Sequence, residues 1–458
     1  MTDYFFENAL LADGWAENVR VGVEPGGTIG SVVSGGSREG AEAVSGVVLP
    51  GVPNLHSHAF QRAAAGLTEF RHSADGDSFW TWREVMHSFV TRLTPDDVYA
   101  IASQLYVEML KAGFTSVGEF HYLHLTPQGH HYGDFLEMSE AIARAAGDTG
   151  IGLTLLPVLY SCGGYDGRDA NDGQRRFILP VPEFLQLIEG LIGRHKDNPQ
   201  VRVGIAPHSV RQVPAAELRE CLDGFQNLDA TAPIHIHVAE QISDVTDHVK
   251  ATGARPVEWL LDNAQIDQRW CFVHATHMTD AETANLAKSG AVAGICPATE
   301  ANLGDGLFPL VDFLNAGGVF GIGSDCHISV SPVEEIRWLE YGQRLIKKSR
   351  NVAAPGQGGS TGMRLLTGSL SGGAQALGRP VGGIKTGCRA DWIVLDPEHP
   401  QLVGRSRERL VDSFIFSGNY NPIQHVMVGG RWVVQGQVHH AEGDVSAAYA
   451  ETSKRLLN

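Results

Sequence analysis

Short apolar runs alternate with stretches of helical periodicity through most of the 458-residue chain. The runs fall at 47–55, 115–120, 153–159, 201–206, 233–238, 270–274, 291–296 and 319–322. Nearly continuous apolar strands separated by amphipathic helices are the pattern of parallel strands covered on both faces. The clearest helix starts at Thr94-Pro95-Asp96-Asp97, which reads as a capping box with proline in the first turn. Val98, Ile101, Leu105, Met109 and Leu110 follow at helical spacing, and Gly113 ends the helix before the strand at 115–120. Eight strand–helix steps predict an α/β fold built on a (β/α)8 TIM-like barrel.

The two ends break this pattern. Residues 1–48 are Gly-rich and read as short strands joined by turns, and β-rich segments return at 384–387, 391–395 and 426–434. Two such ends flanking a barrel predict a small β-sandwich domain assembled from 1–48 and 383–440. The barrel then spans 49–382, and 441–458 forms a C-terminal helix or tail.

Composition narrows the function. Hydrophobic residues make up 43% of the chain, enough for a large core, and the net charge of −17 repels phosphate backbones, so no nucleic-acid partner is expected. The start, Met1-Thr2-Asp3-Tyr4-Phe5-Phe6-Glu7, lacks the basic and apolar regions of a secretory signal. No run approaches the ~18 apolar residues of a membrane span. The six cysteines are scattered with no CxxC pair, which reads as thiols of a reducing cytoplasm.

The chemistry gathers at the ends of the apolar runs. In Asn54-Leu55-His56-Ser57-His58 the two imidazoles stand at i and i+2, on one side of an extended segment, and can reach one ion. In Ile234-His235-Ile236-His237-Val238-Ala239-Glu240, His235 and His237 share a face, one as a ligand and the other as a hydrogen-bonded core histidine. Glu240 follows where the strand turns into its loop. His274 and Asp325 end two later runs. Imidazoles and carboxylates at successive strand ends predict a metal centre on the catalytic rim of a barrel. Such ligands with an open position suit Zn²⁺, and Fe²⁺ or Mn²⁺ also fit. No lysine near 201–209 offers a bridge to a second ion, so one ion per chain is expected. Gly358-Gly359-Ser360-Thr361-Gly362 matches a nucleophile-elbow pattern but lacks a strong preceding strand, and reads as coincidence.

These strand-end residues, with the tail segment Gly383-Ile384-Lys385-Thr386-Gly387-Cys388-Arg389-Ala390-Asp391, resemble the amidohydrolase superfamily in its mononuclear aminohydrolase branch. A closer likeness, to deiminases of linear amidines, lies in Pro53-Asn54-Leu55-His56-Ser57-His58-Ala59-Phe60-Gln61-Arg62, Ser78-Phe79-Trp80-Thr81-Trp82-Arg83-Glu84, Glu119-Phe120-His121-Tyr122 and His208-Ser209-Val210-Arg211. Thr299-Glu300-Ala301-Asn302-Leu303-Gly304-Asp305-Gly306 adds to it. The resemblance implies a bacterial, cytoplasmic step of histidine degradation, in which N-formimidoyl-L-glutamate and water give N-formyl-L-glutamate and ammonia. It implies one Zn²⁺ held by His56, His58, His237 and Asp325. Glu240 is then the acid/base group, assisted by His274, and Asp325 also accepts a hydrogen bond from the attacking water. Gln61, Arg83, Tyr122, His208 and Arg211 contact the substrate, a small dicarboxylate amidine. Arg83 and Arg211 are the partners for its carboxylates. Arg83 reads as part of an aromatic-rich loop in which Trp80 and Trp82 exclude water. A homodimer is expected. The same metal motif serves an aminohydrolase acting on another amidine or on a purine-type ring such as guanine. A non-catalytic barrel would have shed ligands that this chain keeps.

Overall fold

The computed structural model describes residues 1–70, 77–165 and 167–457. Asn458, the last residue of the expected C-terminal segment, lies outside them. One parallel sheet runs in the order Val52–Ser57, Phe114–His121, Gly152–Leu159 and Val201–Val203, and Ala206–Pro207 also pairs with Gly152–Leu159. A second parallel sheet orders Ile234–Val238, Trp270–His274, Val292–Ile295 and Val319–Ile322. Parallel bridges join the two sets at both edges: Ile205 with Ile234 and Ser209 with His237 on one side, Ser57 with Asp325 on the other. Almost every residue of these strands is buried, which is the physical content of their unbroken apolar runs.

Crossover helices cover the strands. The predicted capping box is present on Pro95–Ala112: Thr94 accepts from the Asp97 amide, and Asp97 accepts from the Thr94 amide. Gly113 ends that helix at φ +103°, a conformation that favours glycine. Helix Glu442–Leu457 packs on it, with an Arg455–Asp97 ion pair between them.

The remaining strands form one mixed sheet of eight. Its order is Val438–His439, Arg431–Gln435, Ile423–Val428, Trp392–Leu395, Glu42–Pro50, Thr2–Leu11, Gly14–Val23 and Ile29–Val33. The two ends of the chain meet where Trp392–Leu395 runs antiparallel to Glu42–Pro50. Tyr4 and Phe6 pack edge-on against Trp392 at 5.4 and 5.2 Å in its core.

Three expected strands differ. The run 47–55 is divided between sheets, with Glu42–Pro50 in the mixed sheet and Val52–Ser57 in the parallel one. The break is at Gly51, where a Cβ would lie 2.3 Å from the Thr115 side chain, so only glycine passes there. The run 201–206 is interrupted at Gly204, whose amide bonds to Leu155 and whose Cβ would meet the Pro233 carbonyl at 2.5 Å. Residues 384–387 form a turn, with Gly387 at φ +87° donating to the Ile29 carbonyl. Ser360 of the elbow-like pattern caps helix Thr361–Leu377, accepting from the Met363 amide and donating to Asp412, so its hydroxyl is structural.

Among the described residues no helix is long and apolar enough to cross a membrane, and no disulfide joins the six buried cysteines.

Helix Thr361–Leu377 lies so close to Val319–Ile322 that a Cβ on Gly372 would sit 1.8 Å from the Phe320 carbonyl oxygen. Backbone cannot yield as a flexible side chain does. Gly372→Ala should therefore lower the free energy of unfolding by about 2 kcal/mol or more. Gly193→Ala, in helix Val181–His195 with nothing within 4 Å of the added carbon, should stabilise by up to about 1 kcal/mol. Urea or thermal unfolding of both variants checks the contrast.

Candidate active site

Strand Val52–Ser57 ends by delivering His56 and His58, Ile234–Val238 delivers His237, and the turn after Val319–Ile322 delivers Asp325. All four are buried. His56 Nε2 lies 3.1 Å from His237 Nε2, and Asp325 Oδ1 lies 3.4 Å from His56 Nε2 and 3.3 Å from His58 Nε2. His58 Nδ1 donates to the Phe120 carbonyl at 2.9 Å. Burial lowers the pKa of His58 and drives that of His56 to about 3, so these rings are neutral. With Nδ1 protonated, the lone pair of His58 is on Nε2 and faces a carboxylate oxygen. Such an arrangement is repulsive unless a cation sits among the four atoms. The residues therefore fit a metal on their own chemistry.

The backbone around them is strained. Ala239, His274, Ala275, Asp325 and His327 have φ between +45° and +68°, in the left-handed region that side chains avoid. Strain of this kind persists where the surroundings over-determine a functional geometry.

His274 differs from the other imidazoles. Its Nε2 lies 3.6 Å from Glu240 and 3.7 Å from Asp325, and its Nδ1 lies 3.3 Å from Glu300 Oε1. Burial lowers its pKa, but Glu240, Glu300 and Asp325 outweigh burial and raise it to about 10. It is the cationic ring of the site. Burial raises the pKa of Glu240, against the opposing pull of His274. Both groups are shifted upward for different reasons, Glu240 by burial and His274 by the carboxylates that face it, and adjacent perturbed groups in a cavity mark a candidate acid/base pair.

One cavity collects nearly every expected residue. His58, Gln61, Arg83, Tyr122, His208, Arg211, His237, Glu240, His274 and Asp325 line it, and His56 stands behind His58 and His237. Gln61 donates to the Tyr122 hydroxyl at 2.9 Å, and its own buried carbonyl oxygen has no partner among the described residues. His208 packs edge-on to His237 and Tyr160. His235 shares the face of His237 but lies deeper, where its Nε2 donates to the Ala376 carbonyl at 2.8 Å. It is the core histidine of the two.

Two expectations about the arginines change. Arg83 belongs to helix Phe79–Val90, capped by Ser78, and not to a loop. Buried Arg176 holds the end of that helix by donating to the Val90 and Leu93 carbonyls at 2.7 and 2.8 Å. Arg211 already pairs with Asp244, whereas Arg83 makes no ion pair among the described residues and donates to the Tyr160 hydroxyl at 2.8 Å. Both guanidiniums lie over the Trp80 ring, at 5.6 and 5.5 Å from its centre, and Trp80 is 41% exposed. The indole braces the arginines more than it shields them.

Residues without an expected role stand around the site. Glu119 accepts from the Ser57 hydroxyl and the Ala59 amide, both at 2.6 Å, and so fixes the segment carrying His56 and His58. Asn54 accepts from the amides of His56 and Ser324 and donates to Ser324 Oγ, tying that segment to the one carrying Asp325. Glu300 orients His274, and Asp305 lies behind Glu240 and His274. The sequence signal for these was weak: polar residues inside or just after apolar runs.

Residues 47–433 match the amidohydrolase family model, and residues 1–45 match the N-terminal domain of the formimidoylglutamate deiminase HutF. The chain is 48% identical over 459 residues to a formimidoylglutamate deiminase of Pseudomonas aeruginosa, with 100% of both chains covered. A crystal structure of an amidohydrolase from Brucella melitensis is 46% identical, with a TM-score of 0.94 over 100% of each chain. An atrazine chlorohydrolase from Arthrobacter aurescens TC1, complexed with zinc, has a TM-score of 0.83 over 100% of each chain at 21% identity, a likeness of fold alone.

The different depths of the two strand histidines yield a test. His237→Asn should emerge with less than about a tenth of the parent's metal content, whereas His235→Asn should keep the metal and lose about 1–2 kcal/mol of stability for its buried hydrogen bond. Elemental analysis of the dialysed proteins, with urea unfolding, reads both.

Proposed function

The chain belongs to the amidohydrolase family, and from that premise we propose that it hydrolyses N-formimidoyl-L-glutamate to N-formyl-L-glutamate and ammonia. It is a hydrolase of C–N bonds in linear amidines, working in histidine degradation. Its six buried thiols suit the cytoplasm. We read the two parallel sheets, bridged at both edges, as a closed (β/α)8 barrel, and the mixed sheet folded around Trp392 as a separate small β-sandwich. Their joint at Gly51 puts the metal-facing histidines at the start of the barrel.

His56, His58, His237 and Asp325 would hold one Zn²⁺, with Fe²⁺ or Mn²⁺ as alternatives of like coordination. When bound, the ion supplies a nucleophile near neutrality by lowering the pKa of water to ~7. Asp325 accepts a hydrogen bond from the attacking water. Glu240 takes the water's proton and returns it to the leaving nitrogen, the task for which its raised pKa suits it. His274, held cationic by three carboxylates, donates to the oxygen that becomes the formyl carbonyl. Gln61, Tyr122 and His208 position the amidine, and Tyr160 orients Arg83.

One observation carries this reading: Arg83 and Arg211 stand in the wall of the same cavity as the metal-facing atoms. A dianionic glutamyl group needs that positive wall in a chain of net charge −17. A purine-type ring has no use for it. Arg83, with no carboxylate of its own, is the stronger partner; Arg211 is shared with Asp244.

Ammonia release from N-formimidoyl-L-glutamate, N-formimidoyl-L-aspartate and guanine tests the reading. The glutamyl compound should be turned over, the shorter one far more slowly and guanine not at all; efficient guanine deamination would overturn it. Glu240→Gln should keep its metal and lose at least ~10²-fold in kcat. Arg83→Met should lower kcat/KM by roughly 30-fold, for a loss of ~2 kcal/mol at a carboxylate contact, without change in metal content. Steady-state kinetics with elemental analysis separates these outcomes.

A further inference from the structure

Asp305 has no part in the chemistry above, yet its position is specific. It follows the short helix Pro297–Leu303, and its amide donates to the Glu300 carbonyl at 2.9 Å. His277 Nε2 donates to its backbone carbonyl at 2.9 Å, so the main chain on both sides is pinned. The side chain is 5% exposed. Oδ1 accepts from the Gln241 amide group, and Oδ2 is buried without a hydrogen-bond partner among the described residues. A buried carboxylate oxygen left unpaired is costly, and a proton or a positive charge offsets it. Burial and the neighbouring Glu240 raise the Asp305 pKa, and the cationic His274 beside it already serves Glu240 and Asp325 through Nε2.

Glu240, His274 and Asp305, all buried, each bring one ligand atom within 4.8 Å of the others. This group shares no residue with the His56, His58 and His237 group, although His274 also groups with His56 and Asp325, and its two carboxylates and one imidazole are donors that borderline divalent ions accept. We propose that Glu240, His274 and Asp305 form a second, weaker divalent-cation site, whose filling inhibits the enzyme. Three protein ligands with two oxygens bind Zn²⁺ less tightly than three imidazoles and a carboxylate. Filling the site occupies the Glu240 carboxylate and displaces the His274 Nε2 proton to solvent, and so removes both groups from proton transfer. The inhibition rests on the roles assigned to Glu240 and His274 above; the binding does not.

The test uses the dialysed holoenzyme, with its first ion in place, titrated with Zn²⁺ by calorimetry and by elemental analysis at fixed free Zn²⁺. The parent should take up a second equivalent, and activity should fall along the same curve. Asp305→Asn, which keeps the shape and the Gln241 contact, should retain the first ion and the basal activity. Its second equivalent should bind at least tenfold more weakly, with the inhibition midpoint moved equally. A parent that binds only one equivalent at millimolar Zn²⁺ overturns the site whatever the variant does. Equal second-ion affinity in Asp305→Asn also overturns it. Uptake of a second equivalent with full activity overturns the inhibition alone. The stoichiometry is read without substrate, so a wrong substrate assignment leaves the binding result intact.

Discussion

Imidazole nitrogens and a carboxylate oxygen linked by contacts of 3.1–3.4 Å, away from bulk solvent, make a demand for positive charge that the protein's own neutral histidines do not meet. Much of the surrounding architecture serves that demand. The Phe120 carbonyl fixes the His58 tautomer, so that its lone pair turns inward. Glu119 and Asn54 clamp the two segments that carry ligands, although those segments are separated by 270 positions in the chain. The left-handed backbone at Ala239, His274 and Asp325 costs about 1–3 kcal/mol at each position, and the parallel pairing of the flanking strands holds it in place.

Within the same cavity, opposite electrostatic rules apply a few ångströms apart. Burial keeps His56, His58 and His237 neutral, outweighing the pull of Asp325 on the first two. His274 is equally buried but is faced by Glu240, Glu300 and Asp325, and it is cationic. The same residue type thus supplies neutral rings suited to holding a metal and a cationic ring suited to proton transfer. Farther out, the arginines supply positive charge that the molecule as a whole lacks. Their placement depends on packing far from the chemistry: Arg176 holds the end of the helix that bears Arg83, and Trp80 lies beneath both guanidiniums.

The parallel strands and the strand-end chemistry were legible in the sequence because both are local patterns. Apolar runs mark strands buried on two faces, and a His-x-His at the end of such a run places two rings on one side. What depended on distant partners was not legible. Nothing around Gly51 showed that the chain crosses between sheets there; Thr115 is the reason. His235 and His237 were equivalent on one face until Ala376 supplied the carbonyl that makes one of them structural. Arg83 read as a loop residue because Ser78-Phe79-Trp80 is aromatic and lacks a clear helical stripe, yet Ser78 caps a helix there. The roles of Glu119, Glu300 and Asp305 come from residues that reach them across the fold, and no spacing announced them.

The central claim is that one cation belongs among His56 Nε2, His58 Nε2, His237 Nε2 and Asp325 Oδ1. Anomalous X-ray diffraction from crystals of the dialysed enzyme, recorded on both sides of the zinc absorption edge, tests it most directly. The expected result is a single strong anomalous peak per chain, about 2.0–2.2 Å from each of the four atoms. A map without a peak there in active enzyme, or with its only peak elsewhere, would contradict the account.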